Sequence, residues 1–209
     1  MTAPDQQQHW DAVYGRRSAT EVSWYEAEPA QSLAWISATG LAPADPIIDV
    51  GGGASLLVDR LLALGHTDVT VLDFSGTVLA QVGARLGTLR RHVTLLEQDI
   101  RSFTPTRRYA LWHDRAVFHF LTDPADRERY RSALLTGTSP GSHVIIATFG
   151  PQGPVRCSGL DTCRYEATSL ARELGAPFRL SESLLCEHMT PSGSSQQFLY
   201  ARFVRIDGP

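Results

Sequence analysis

The chain has 209 residues, 43% of them hydrophobic and 20% charged, with a formal net charge of −3. That length suits one α/β domain, residues 1–209, with a sizeable core, and the balance excludes a disordered, fibrous or generally nucleic-acid-binding chain. No apolar run reaches the roughly 20 residues that cross a bilayer, and the polar start Met1–His9 lacks a signal-peptide core, so no membrane partner and a cytoplasmic location are expected.

The first 45 residues carry no strand pattern but hold Trp10, Tyr14, Trp24, Tyr25 and Trp35, which suggests helices folded over the ligand end of a sheet. Pro46–Val50 reads as a buried strand, and after the glycines Leu57, Val58, Leu61, Leu62 and Leu64 form one helical face that ends at Gly65. A second strand is expected at Asp68–Leu72, followed by a helix capped by Ser75 and running to about Leu86. His92–Leu96 and Tyr109–His113 continue the series of strands. Asp123-Pro124 then starts a helix that carries on to Gly137. His143–Phe149 is the fifth strand, Gly150–Pro154 a loop and Tyr165–Leu174 a helix. Phe178–Leu185 and Gln196–Val204 close the chain as a strand pair with Ser192-Gly193-Ser194 in the turn. The alternation predicts an α/β, doubly wound, mostly parallel seven-stranded sheet with an antiparallel closing hairpin and an N-terminal helical lid. Within it, residues 1–45 serve as lid, 46–150 as cofactor-binding core, and 151–209 as acceptor-side loops and closing strands.

Open parallel sheets bind ligands beyond the carboxyl ends of their strands, where helix N-termini offer free N–H groups. Asp49-Val50-Gly51-Gly52-Gly53 lies there. A dinucleotide fingerprint needs a third glycine, and that position is Leu56. The remaining pattern, an acid followed by Gly51 and Gly53, suits a nucleoside ligand with an amino-acid end, whose ammonium wants an acceptor and whose carboxylate wants N–H donors. Asp73, 22 residues after Gly51, is placed to accept both ribose hydroxyls. Asp99 can accept from an adenine amino group, with Phe74 and Ile100 on either side of the ring. Each of these residues alone could merely turn the chain or cap a helix; together, at successive strand ends, they point to one cofactor.

At these residues, and over nearly the whole chain, the sequence resembles the class I, seven-stranded methyltransferases that use S-adenosyl-L-methionine (SAM) and release S-adenosyl-L-homocysteine. It is similar in particular to small bacterial methyltransferases and to the lysine methyltransferases of elongation factor 1A, through His9-Trp10-Asp11-x-x-Tyr14 and Ser23-Trp24-Tyr25-Glu26. The resemblance implies that Asp49, Gly51 and Gly53 hold the methionine part, Asp73 the ribose, and Asp99 with Ile100 the adenine. Asp114-Arg115-Ala116-Val117-Phe118 resembles the segment that reads Asp-Lys-Gly-Thr-Phe in the lysine enzymes, and the divergence leaves the acceptor open.

Beyond the fourth strand, His119 is the candidate general base, since imidazole titrates near neutral pH. Asp114 is expected to position the cofactor, Trp10, Tyr14 and Trp24 to cover it, and His113 to pack at a strand end. Tyr25, Phe118, His119, Arg164, Tyr165 and His188 are the candidate acceptor contacts. Cys157, Cys163 and Cys186 have no zinc or disulfide spacing, so reduced thiols and no metal are expected. The leading expectation is methyl transfer to an O, N or S atom of a small molecule. A protein lysine acceptor is the alternative, and a non-catalytic SAM-binding module a third reading.

Overall fold

In the computed structural model, which describes residues 3–16 and 20–207, two helices precede the sheet: α1 (Ala3–Arg16) and α2 (Ala30–Ser37). Then β1 (Ile47–Val50), α3 (Leu57–Ala63), β2 (Val69–Asp73), α4 (Gly76–Leu86), β3 (Val93–Glu97), β4 (Tyr109–Arg115), α5 (Pro124–Gly137) and β5 (Thr138–Phe149) alternate along the chain. A two-stranded hairpin, β6 (Arg156–Cys157) and β7 (Leu160–Asp161), stands apart from the main sheet. α6 (Ala167–Leu174), β8 (Phe178–Met189) and β9 (Ser195–Arg205) complete the chain.

The main sheet has seven strands in the order β3-β2-β1-β4-β5-β9-β8. Strands β1 to β5 pair in parallel, while β9 runs antiparallel to both β5 and β8. This is the expected doubly wound sheet with its closing hairpin. The strand order reverses between β1 and β4, so the crevice that such folds use for ligands opens above that pair.

The central strands are buried on both faces, which is why Ile47–Val50 is apolar except for Asp49, itself buried. Ile47 packs with the buried faces of α2, α3 and α4, through Ile36, Leu61 and Val82. Ile48 packs on the opposite side with Tyr130 and Leu134 of α5 and Leu170 of α6. Trp10 and Tyr14 of α1 join the first of these clusters, so the N-terminal helix lies over the sheet as a lid built from its own core residues.

The expected caps form. Ser75 Oγ accepts from the amide of Val78, and the Asp123 carboxylate accepts from that of Ala125 beside Pro124. β4 and β5 are longer than the sequence pattern suggests, because β5 starts at Thr138 and regains register through an irregularity between Tyr109 and Leu111. α6 starts at Ala167, two residues after Tyr165, with Glu166 and Ser169 forming a capping box. The β6–β7 hairpin falls in a stretch too short and too rich in Gly and Ser to show a strand pattern.

Candidate active site

A cleft lies above the carboxyl ends of β1, β2, β3 and β4, where open parallel sheets bind their ligands. It has two ends. Asp73, Phe74, Gln98, Asp99 and Ile100 line one; Arg115, Val117, His119, Phe120, Phe149, Cys157 and Phe198 line the other. Trp10, Tyr14 and Trp24 cover the middle. Trp10 meets Tyr14, Trp24 and Phe120 at ring-centroid distances of 6.1, 5.2 and 5.4 Å, so the cover is one aromatic cluster.

The glycine turn lies close against its neighbours. Gly51 has φ +64, and a Cβ added there would fall 2.0 Å from Val117 Cγ2. Gly53 has φ +38, and a Cβ there would meet the Tyr14 hydroxyl at 2.8 Å and Asp73 Oδ2 at 3.0 Å. Only glycine adopts this left-handed backbone without driving a Cβ into those neighbours.

Asp73 is buried at the end of β2, and its Oδ1 accepts from the Ser75 amide at 2.9 Å. Burial, reinforced by the nearby carboxylates of Asp49 and Asp11, raises its pKa to about 7 against the pull of the Ser75 and Phe74 amides. Asp11 on α1 accepts from Ser75 Oγ at 2.5 Å, so the lid helix is tied to the residue that caps α4. Asp99 lines the cleft, but its carboxylate is already held by Arg101, whose Nε lies 2.9 Å from both oxygens.

Asp49 differs from the expectation of a carboxylate open to a ligand. Its Oδ1 lies 2.7 Å from His113 Nδ1, and His113 Nε2 lies 2.9 Å from Ser32 Oγ on α2. All three residues are buried, so His113 is a hydrogen-bonded bridge from β1 to the lid side and not merely a packing residue. Asp49 and His113, with Gly51, Gly52, Tyr25, Glu26 and Arg115, border a smaller pocket beside the glycine turn.

Several acceptor-side expectations need correction. Phe118 is buried against Tyr130 and Tyr165, at centroid distances of 4.9 and 5.5 Å, and both Phe118 and Tyr165 belong to the core cluster on the α5–α6 face instead of lining the cleft. The side chain after a strand end points to one face or the other, and here the 3-10 turn Phe118–Phe120 sends Phe118 inward and His119 and Phe120 toward the cleft. Arg164 and His188 also lie outside the cleft lining. His188 is fastened to the carbonyl of Ser23 at 2.7 Å and lies 3.7 Å from Glu26, so it anchors the segment before the lid residue Trp24.

Asp114 is fully buried, and its Oδ1 accepts from the amides of Val117 and Phe118 at 3.0 and 3.4 Å. It shapes the turn after β4 and does not line the cleft, which corrects its expected contact with the cofactor. The turn it holds places Ala116 at φ 72, a backbone region that favours glycine. Burial raises the Asp114 pKa to about 6. A carboxylate with a raised folded pKa destabilises the fold as pH rises from its unfolded value through the folded one. Asp114→Asn, which keeps an oxygen for the two amides, is therefore expected to melt at a higher temperature than wild type at pH 8, with the gain absent at pH 4. Thermal melts at both values check this, and a gain of equal size at both would refute it.

His119 is not built as a base. The amide of Phe149 donates to its Nδ1 at 3.2 Å, which puts the ring proton on Nε2. Complete burial, with the Arg115 guanidinium nearby, lowers its pKa to about 3. A neutral ring whose lone pair is already used has no site for an incoming proton.

Sequence reasoning missed Arg115, Phe120, Phe149 and Phe198. Arg115 donates to the Trp24 carbonyl at 2.9 Å, to Glu26 at 2.8 Å and to the Tyr200 hydroxyl at 3.1 Å, and its guanidinium lies 4.9 Å from the Phe198 ring centre. It thus clasps the lid segment to β4 and β9. Arg115 stood in plain view within Asp114–Phe118, while Phe149 and Phe198 carried no signal beyond being strand residues.

No protein-family model matches the chain. A mouse protein named eEF1A lysine and N-terminal methyltransferase is 26% identical over 92 residues, 44% of this chain, and the matched stretch spans 13% of the mouse protein's length. Among solved structures, one from work on converting a disulfide bond into a thioacetal group during echinomycin biosynthesis superposes with a TM-score of 0.77 at 17% identity, covering 96% of this chain and 92% of the other. A SAM-dependent methyltransferase from Anabaena variabilis gives 0.75 at 15% identity, covering 98% and 96%. The 1,6-didemethyltoxoflavin-N1-methyltransferase of Burkholderia thailandensis gives 0.70 at 18%, covering 99% and 92%. The chain therefore has the seven-stranded, Rossmann-like fold of SAM-dependent methyltransferases.

Proposed function

We propose that the protein is a SAM-dependent methyltransferase acting on an O, N or S atom of a small molecule. The observation that carries this reading is one cleft whose lining joins Gly51 and the strand-end carboxylate of Asp73 to the aromatic side chains of Trp10, Tyr14, Trp24 and Phe198. Tyr14 and Asp73, which pack against Gly53, both line the cleft, where a hydroxyl and a carboxylate suit the ribose part of such a cofactor. The Burkholderia thailandensis enzyme, which shares the fold, was solved with bound 1,6-didemethyltoxoflavin and S-adenosylhomocysteine, and a small molecule together with the cofactor product supports this reading.

In this reading Asp73 accepts from the ribose hydroxyls, Phe74 and Ile100 flank the adenine with Asp99 and Gln98 at its edge, and the turn at Gly51 faces the methionine part. The cofactor supplies a methyl group already activated on a sulfonium. The protein's task is alignment and exclusion of water. Trp10 and Trp24 line the cleft, where an aromatic face beside the positive sulfur would add a cation–π attraction of about 0.5–2 kcal/mol. With His119 Nδ1 taken by the Phe149 amide, an acceptor atom that already offers a free lone pair suits the site.

The same reading divides the chain into a lid over residues 1–45, a cofactor core over 46–150 and an acceptor side over 151–209. The three unpaired cysteines support a reducing, cytoplasmic setting. No described helix is long and apolar enough to cross a membrane.

A protein lysine acceptor is the second reading, favoured by the partial similarity to the mouse enzyme. Against it, among the described residues no carboxylate lines the acceptor end of the cleft to receive an ammonium. Incubation with labelled SAM and separate pools of small metabolites and of denatured protein tests both. Label in the small-molecule pool is expected; label confined to protein would overturn the preferred acceptor.

A further inference from the structure

His119 is buried, lines the acceptor end of the cleft, and has one polar atom without a partner. Its Nδ1 is occupied by the Phe149 amide, so the unpartnered Nε2 carries hydrogen. A buried donor with no acceptor costs roughly 1–3 kcal/mol, and native structures rarely keep one without a use.

The ring is rigidly set. It stacks on Phe149 with centroids 4.1 Å apart and planes 11° from parallel, and it meets the edge of Phe120 at 4.5 Å. Its backbone carbonyl accepts from the Cys163 amide at 2.8 Å, which fixes the turn that carries it. The surrounding chamber is aromatic, with Phe198 and Trp24 among its walls. Arg115, the charged group that acts on the ring, is already bonded to Glu26, Tyr200 and the Trp24 carbonyl.

We propose that His119 is a hydrogen-bond donor for the methyl acceptor, and that this acceptor is a neutral, flat, conjugated molecule presenting a carbonyl oxygen or ring nitrogen to Nε2–H. This rests on the methyltransferase reading and adds the acceptor's class to it. Flatness follows from the aromatic walls, neutrality from the absence of an uncommitted charge at this end among the described residues, and the lone pair from the fixed tautomer. The role is one of selection: an acceptor without that lone pair leaves Nε2–H unsatisfied and is rejected.

The test uses histidine-labelled protein saturated with S-adenosylhomocysteine. Imidazole NMR is expected to show His119 as the Nε2–H tautomer with no titration between pH 5 and 8.5. Nicotinamide, 4-quinolone and benzimidazole are then added in turn, and at least one is expected to shift the Nε2–H signal. His119→Phe is expected to weaken that fragment about fivefold, while His119→Gln, which keeps a donor, restores it and both variants hold S-adenosylhomocysteine as wild type does. An Nδ1–H tautomer, a titrating ring, no bound fragment, or equal fragment affinity in His119→Phe each overturns the proposal. Should His119→Phe lose S-adenosylhomocysteine through misfolding, the wild-type signal and His119→Gln decide. Loss of S-adenosylhomocysteine binding in the wild type would instead strike the methyltransferase reading.

Discussion

Gly51→Ala is expected to lower the melting temperature by about 5–10 °C and to weaken SAM at least tenfold. Two costs combine. Alanine at φ +64 is in the left-handed region, which costs roughly 1–2 kcal/mol, and its Cβ would sit 2.0 Å from Val117 Cγ2, an overlap worth about 1–3 kcal/mol if the neighbour must move. For a domain of about this size each kcal/mol is worth roughly 2–4 °C. Val117 itself lines the cleft, so relieving the overlap pushes it toward the cofactor. Thermal melts and calorimetry with SAM check both parts; a variant with wild-type melting and affinity would show that the turn does not lie against Val117.

The second large effect is a pH dependence of cofactor binding that disappears in Asp73→Asn. The folded pKa of Asp73 is raised to about 7 by burial and by its carboxylate neighbours Asp49 and Asp11, while the Ser75 and Phe74 amides oppose the rise and the Tyr14 hydroxyl also faces it. Ribose hydroxyls donate, so the ionised carboxylate is the form that binds well. SAM affinity is therefore expected to level off above about pH 7.5 and to fall toward tenfold per unit as pH drops below about 7, with proton release on binding at pH 6.5. Calorimetry in two buffers of different ionisation enthalpy measures that release. Asp73→Asn should bind SAM at least tenfold more weakly than wild type at pH 8, the worth of one hydrogen bond to a charged group, with a flat pH profile. A wild-type profile that is flat from pH 5 to 8 would contradict the role of Asp73.

The strands and helices of this fold are legible because local rules agree with the tertiary result. Asp123-Pro124, Ser75 and the apolar face at Leu57, Val58 and Leu61 each signal an element by a mechanism that the structure then uses. Boundaries were lost where tertiary pairing extends a strand, as in β5 from Thr138 to His143, whose Pro140 and Gly141 give no strand signal. Within the site, positions set by chain topology could be read: a carboxylate at the end of β2 must sit beside the glycine turn. Orientation could not. Phe118, His119 and Phe120 are adjacent, and which of them faces the cleft depends on a 3-10 turn held by Asp114 to backbone amides. The same limit hid the Asp49–His113–Ser32 bridge, because Ser32 is brought to His113 by a helix packed from far along the chain.

Arg115 shows a third kind of loss. Nothing in its residue type told that three neighbours take its donors and leave it clasping the lid. Partner lists of this kind are a property of packing, since Glu26 and Tyr200 are distant from Arg115 in sequence and adjacent only after the sheet closes.

The central claim is that the cleft above β1, β2 and β4 holds SAM through Asp73. Titration of the wild-type protein and of Asp73→Asn with SAM at pH 8 in a calorimeter tests it most directly. One molecule bound per chain by the wild type, with affinity at least tenfold weaker in the variant, is the expected result. Binding of neither SAM nor S-adenosylhomocysteine by a folded wild-type protein, or equal affinity in the two proteins, would contradict it.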